Sequence, residues 1–230
     1  MKHTKFGLKR AAGALTFLLF LAVSQTSAAD EGGNSGFLGS DDDYARLQEV
    51  KLRSGQKAKR WLSPSLNFAN YQQLLIEPMV LYPEPQPTPQ VSAEVLEQIQ
   101  VHLTEALREK VGEFLVVSDE AGQGVLRIQG ALTGVTVETE GMKAYEVLPV
   151  AAVFGAAKAA TGKRDQDVKV FLEVRMLDSV TGELQGMVVR EVEGEQLKGK
   201  KDVLTMGDLQ DNLDSSTDDA SDGIASALQH

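Results

Sequence analysis

One long run of apolar positions at helical spacing stands out in this chain, across residues 92–112. Leu96, Ile99, Leu103 and Leu107 follow at steps of three and four, and Val95, Ala106 and Val111 widen the stripe. The spacing predicts an amphipathic helix with one buried face. Ser92 suits the N-cap, Glu94 sits at the positive end of the helix dipole, and Val91 with Leu96 has hydrophobic-staple spacing. Lys110 followed by Gly112 predicts a left-handed stop.

Elsewhere the period shortens to two. Val168, Val170, Leu172, Val174 and Met176 alternate with Lys169, Glu173 and Arg175, which predicts a half-buried strand. The turn residues at 178–182 lead into a second arm at 184–192, a hairpin. Another long strand is predicted over 125–139, where Leu126, Ile128 and Leu132 share one phase and Val135 and Val137 take the other. That slip at Gly134 predicts a bulge or sharp bend. Shorter strands are predicted at 72–82 and 114–117, and Pro78, which cannot donate to a ladder, requires an edge or a bulge in the first. Residues 83–89 hold four of the seven prolines and read as an extended connector. Residues 44–70 read as irregular, with the basic cluster Lys57, Lys59 and Arg60 ahead of Trp61, the only tryptophan; the cluster fits a solvated loop beside a core-docking tryptophan better than a grip for an anionic partner such as a glycan or lipid headgroup.

Composition sets the address. Lys2, Lys5, Lys9 and Arg10 precede an apolar run and the small residues Ser27, Ala28 and Ala29, so residues 1–29 read as a cleavable signal peptide. The protein is therefore expected in the periplasm or associated with the outer envelope. Net charge is −10 over 230 residues, which argues against nucleic acid as a partner. With no cysteine, the chain forms no disulfide, offers no thiol chemistry and has no N-terminal cysteine to lipidate. Residues 30–43 are rich in Gly, Ser and Asp and read as a flexible leader, within which Ser35, Gly36, Phe37 and Leu38 form an apolar island able to dock on the domain. Residues 196–230 read as an acidic, weakly helical tail.

No reactive constellation emerges. His102 and His230 are the only histidines beyond the signal segment, and no serine sits in a Gly-x-Ser-x-Gly turn. His102 borders the apolar stripe and reads as a half-buried helix residue. Gly162 and Lys163 lack the first glycine and the Ser or Thr of a phosphate loop, and Asp218 and Asp222 lack the closing Glu of a calcium loop. Glu138, Glu140, Glu173 and Glu191 read as carboxylates on a sheet face. The sequence therefore predicts no enzyme, no cofactor and no metal site. One apolar segment, 147–160, fits either a small element packed on the sheet or, with Lys158, Lys163 and Arg164 at its end, an interfacial hairpin in peripheral contact with a membrane through 147–164.

Ser35-Gly36-Phe37-Leu38 with Tyr44-Ala45-Arg46-Leu47, the run from Tyr71 through Pro78, and Ala159 to Asp165 ahead of a strand closing in 178–182 resemble bacterial domain-of-unknown-function family 3313. The resemblance covers most of the exported chain and implies an envelope protein of the lipoprotein type. This chain lacks the family's lipidated cysteine, which implies that it is not lipid-anchored. Its element order is also similar to small α+β domains of envelope lipoproteins that activate or assemble other machinery.

The expected architecture is α+β: one domain over 44–195, a largely antiparallel sheet of about five strands, and one main amphipathic helix on one face. The expected role is a non-enzymatic envelope module that binds another protein, with Pro78, Val150, Val153, Phe154, Lys158, Lys163 and Arg164 as the candidate contact surface. The alternative is a carrier for lipid or glycan that uses the space between helix and sheet.

Overall fold

The computed structural model describes residues 34–139, 165–199 and 201–228. The expected signal peptide, residues 30–33 of the leader and the 147–160 segment lie outside the described residues. The elements run α1 (Asp41–Ala45), β1 (Gln48–Lys51), β2 (Lys57–Leu62), β3 (Gln73–Ile76), β4 (Val80–Leu81), α2 (Ala93–Gly112), β5 (Val116–Ser118), β6 (Val125–Thr139), β7 (Gln166–Asp178), β8 (Leu184–Glu193) and α3 (Gln210–Ala227).

The sheet has eight strands rather than five, in the order β1-β2-β8-β7-β6-β3-β5, with β4 beside β6. It is mixed, not largely antiparallel. The strands β2, β8, β7 and β6 pair antiparallel, while β3 runs parallel to both β5 and β6, and β4 parallel to β6. The parallel pair β3 and β5 follows from α2, which as a crossover helix returns the chain in the same direction. Two of the extra strands come from the stretch that reads as irregular. Its hairpin β1-β2 carries Lys57, Lys59 and Arg60 on a strand, without the long alternation that marks β7. The third appears because the 72–82 strand breaks at Pro78 into β3 and β4.

Helix α2 forms as its stripe predicts. The Ser92 hydroxyl accepts from the Val95 N–H at 3.2 Å, and Val95, Leu96, Ile99, Leu103 and Val111 are buried. At roughly 1.5 to 3 kcal/mol for each large aliphatic side chain, this face is a main source of stability. The left-handed stop does not form. Gly112 stays helical, Glu113 caps in the right-handed region, and the Val111 carbonyl accepts from the Phe114 and Leu115 N–H groups. The register of β6 against β7 shifts between Leu132 and Gly134, at the predicted slip.

The acidic tail is a second main helix. Leu197, Leu204, Leu209 and Leu213 enter the core, and backbone bonds tie the approach to α3 onto the sheet, Gly194 N–H to Val168 C=O at 2.8 Å and Glu195 N–H to Asp208 C=O at 2.7 Å. A Cβ at Gly194 would lie 2.7 Å from Leu209 Cδ2, so glycine is what lets that leucine in. The leader is ordered from residue 34, because Phe37 and Leu38 pack with Ala131 and Met187 on the face of the sheet away from α2. The molecule thus has a helix layer, a sheet and an N-terminal strap.

Candidate functional site: the cleft under the second helix

The two main helices cover the sheet with different side chains. Helix α2 presents Leu96, Ile99 and Leu103, whereas α3 between Leu213 and Ile224 presents Ser216, Thr217, Ala220 and Gly223. Small side chains reach less far across the gap. What remains is a cleft of about 210 Å³ between α3, α2 and the floor made by β2, β7 and β8. Leu62, Leu107, Val174, Val188 and Ile224 line it while only partly buried, so its walls are apolar and in part accessible.

A charged knot closes one wall. Arg190 and Asp219 have side chains only 7% and 4% exposed, and Arg190 Nη2 donates to Asp219 Oδ2 at 2.8 Å. Arg190 also donates to Gln56 Oε1 at 2.7 Å and to the Ser216 carbonyl at 3.1 Å. Asp219 accepts from the Ser54 N–H at 2.9 Å and from the Ser54 hydroxyl at 2.6 Å. Burial pushes the Asp219 carboxyl up, but the Ser54 donors and the Arg190 charge outweigh it and hold the group below the usual carboxylate range. Burial lowers the Arg190 guanidinium against the pull of Asp219. Arg190 Nε has no hydrogen-bond partner. Both lone pairs and charges are otherwise met, which is what makes a buried pair tolerable.

Polar clasps hold the rim of α3. His102 Nε2 lies 2.8 Å from Asp214 Oδ1, Lys110 pairs with Asp218, and Arg53 Nη1 reaches Asp222 Oδ2 at 3.0 Å. His102 is thus a half-buried helix residue in a contact between helices. Asp218 and Asp222 each face a cation and lie on a helix, not in a loop. Among the described residues no group of three or more His, Cys, Asp or Glu side chains is placed to hold a metal ion, and no helix is long and apolar enough to cross a membrane.

The other face of the sheet carries a second polar cluster, satisfied among its own members except at Arg175 Nε. The Tyr44 hydroxyl donates to Glu173 Oε2 at 2.6 Å, and Glu77 accepts from Arg127 Nε at 2.6 Å and Gln129 Nε2 at 2.8 Å. Gln129 Oε1 accepts from Arg175 Nη2 at 3.0 Å, and the Arg175 guanidinium lies 4.8 Å from the Phe37 ring centroid. Burial, then the hydrogen bond to Glu173, push the Tyr44 phenol up. Glu191 pairs with Lys169 at 2.7 Å, so Glu173 and Glu191 have separate partners.

Of the expected contact residues, Pro78 is exposed in the break between β3 and β4. Its neighbour Met79 donates its N–H to Thr104 Oγ1 at 2.9 Å and accepts from Gln100, so α2 takes up the backbone beside the break. Val150, Val153, Phe154, Lys158, Lys163 and Arg164 lie outside the described residues, as does Glu140, and the described part of Glu138 is its backbone. The cleft itself had one faint signal in the sequence. Arg190 occupies an inward position of β8, between Val188 and Val192, where a charge requires a partner.

Residues 33–220 match the family described as protein of unknown function (DUF3313). The chain belongs to this family. This DUF3313 protein is also similar to the uncharacterized lipoprotein YdcL of Escherichia coli, strain K12 and O157:H7, at 30% identity over 207 residues, 90% of this chain and 92% of the relative. A relative described as a lipoprotein agrees with an envelope location. Among solved structures, the PelC L103M dodecamer of Paraburkholderia phytofirmans is similar over 75% of this chain and 95% of that chain, at 13% identity and a TM-score of 0.30. A neuraminyllactose-binding hemagglutinin homolog of Helicobacter pylori is similar over 78% and 92%, at 13% identity and a TM-score of 0.39. Overlap this loose does not transfer any surface of those proteins to this DUF3313 protein.

Proposed function

We propose that this envelope protein is a non-enzymatic binding module that carries a lipid chain in the cleft between α3 and the sheet. One observation supports the reading above others: a cleft of about 210 Å³ whose walls are mostly Leu, Val, Ile, Met and Ala, with Arg60, Arg190, Asp219, Ser216 and Thr217 as the polar residues among them. Apolar cavities of about 150 Å³ stay dry and accept apolar guests, because water inside one finds too few partners. Lipid is favoured over glycan on the same ground. Each sugar hydroxyl needs a partner when it leaves water, and here Thr217 already donates to Asp214, while the Arg190 Nη groups are engaged by Asp219, Gln56 and Ser216. The protein-contact reading keeps only Pro78 among the described residues, so the cleft carries the proposal. On this reading the module is exported with a cleavable signal peptide and, having no cysteine, works in the envelope without an acyl anchor of its own.

The test is uptake of the neutral fluorophore N-phenyl-1-naphthylamine. Saturation at one probe per chain is expected, and Ala220→Trp, which fills the cleft from α3, abolishes it while the protein still melts cooperatively. Equal uptake by both folded proteins would refute the proposal.

A further inference from the structure

The cleft has a free cation at its edge. Two of its lining residues carry positive charge, Arg60 and Arg190. Arg190 is buried and neutralised by Asp219. Arg60 is exposed, and among the described residues its side chain makes neither a hydrogen bond nor an ion pair. The register places Arg60 opposite Val188, which is also in the lining, and strand alternation puts it on the same side of β2 as Ala58 and Leu62. An arginine so placed lays its methylene stem along the apolar floor and keeps its guanidinium in water. The charges nearest in the chain do not cancel it: Lys57 and Lys59 are cations on the other side of β2, and Lys57 is already paired with Glu49 at 2.8 Å. On α3, Asp219 is held by Arg190, and Asp222 beside the lining residue Gly223 is held by Arg53.

An uncancelled guanidinium at the edge of an apolar cleft matches one ligand shape, an apolar chain with a single anionic head. We propose, resting on the carrier reading above, that the cleft selects an anionic single-chain amphiphile and that Arg60 receives its headgroup. A guanidinium presents forked N–H donors that suit a carboxylate or a phosphate oxygen pair. In a protein of net charge −10 the general field repels anions, so the preference must come from this local contact.

The experiment displaces N-phenyl-1-naphthylamine from the full-length protein with decanoate, with 1-decanol and with lysophosphatidylglycerol, at low and at high salt. Wild type is expected to favour an anionic competitor over 1-decanol by about tenfold, the size of one charge-assisted hydrogen bond, with the preference shrinking as salt screens it. Arg60→Gln removes the preference, and Arg60→Lys restores part of it. Stronger displacement by decanoate assigns a free carboxylate, and stronger displacement by lysophosphatidylglycerol assigns a membrane phosphodiester; either supports the inference. Equal displacement by decanol and both anions, or a preference that survives Arg60→Gln, overturns the headgroup assignment and leaves the carrier reading standing. No probe uptake at all refutes the carrier reading, and the headgroup inference with it.

Discussion

The two faces of this sheet are covered by opposite strategies. On one, an 18-residue helix, α3, lies over the strands on small side chains, held at its rim by Asp214, Asp218 and Asp222 and at its middle by the Arg190–Asp219 knot. On the other, a short strap places Phe37 and Leu38 directly on Ala131 and Met187 and bonds Tyr44 to Glu173. The larger cover leaves space, and the smaller one fills it. What decides is the size of the side chain at each contact, since polar clasps fix the position of a helix without filling the gap beneath it.

The contrast between the two faces is lost most severely where α2 meets the core. Leu103→Asp places an uncompensated charge in a position only 3% exposed, at the base of the cleft, and is expected to abolish the cooperative thermal melt. Next comes the knot. Asp219→Ala leaves Arg190 buried without its counter-charge and should cost about 3 to 5 kcal/mol in urea unfolding, while Asp219→Ala combined with Arg190→Met recovers most of that loss. The strap is expected to respond more mildly. Tyr44→Phe leaves the buried Glu173 carboxylate without its donor, a loss of about 1 to 3 kcal/mol, and probe uptake on the opposite face stays as in wild type.

Acid probes the knot without mutation. Asp219 titrates below its ordinary value in the folded state, so its share of stability is complete above the unfolded pKa of 3.8 and disappears as pH falls through the lower folded pKa. Urea midpoints measured across that window should fall less steeply in Asp219→Asn than in wild type. The smallest effect is expected at the rim, where Lys110→Ala removes one partly exposed pair with Asp218 and changes stability by less than about 1 kcal/mol.

These elements differ in how much of themselves the sequence discloses. Helix α2 was legible because its contacts are large aliphatic residues at regular steps, and β6, β7 and β8 because inward residues alternate with polar ones. The bulge at Gly134 showed as a change of phase. Helix α3 was not legible as a packed helix, since after Leu213 its buried face continues through Ser216, Thr217, Asp219 and Ser221, which carry little hydropathy. The mixed sheet was hidden for another reason: strand direction depends on how α2 returns the chain, and no residue pattern within β3 or β5 records it. In the β1-β2 hairpin, Arg60 and the lysines masked a strand whose inward residues are Ala58 and Leu62. Beyond the inward charge at Arg190 no single stretch reveals the cleft, because its walls come from seven elements, β1, β2, β6, β7, β8, α2 and α3, and its volume from what α3 lacks.

Native mass spectrometry of the protein released from its own envelope without detergent reads the content of the cleft outright. The cleft predicts a one-to-one adduct of a single-chain lipid in wild type that is absent from Ala220→Trp. Bare protein mass in the wild-type preparation, or the same adduct on the filled variant, would contradict it.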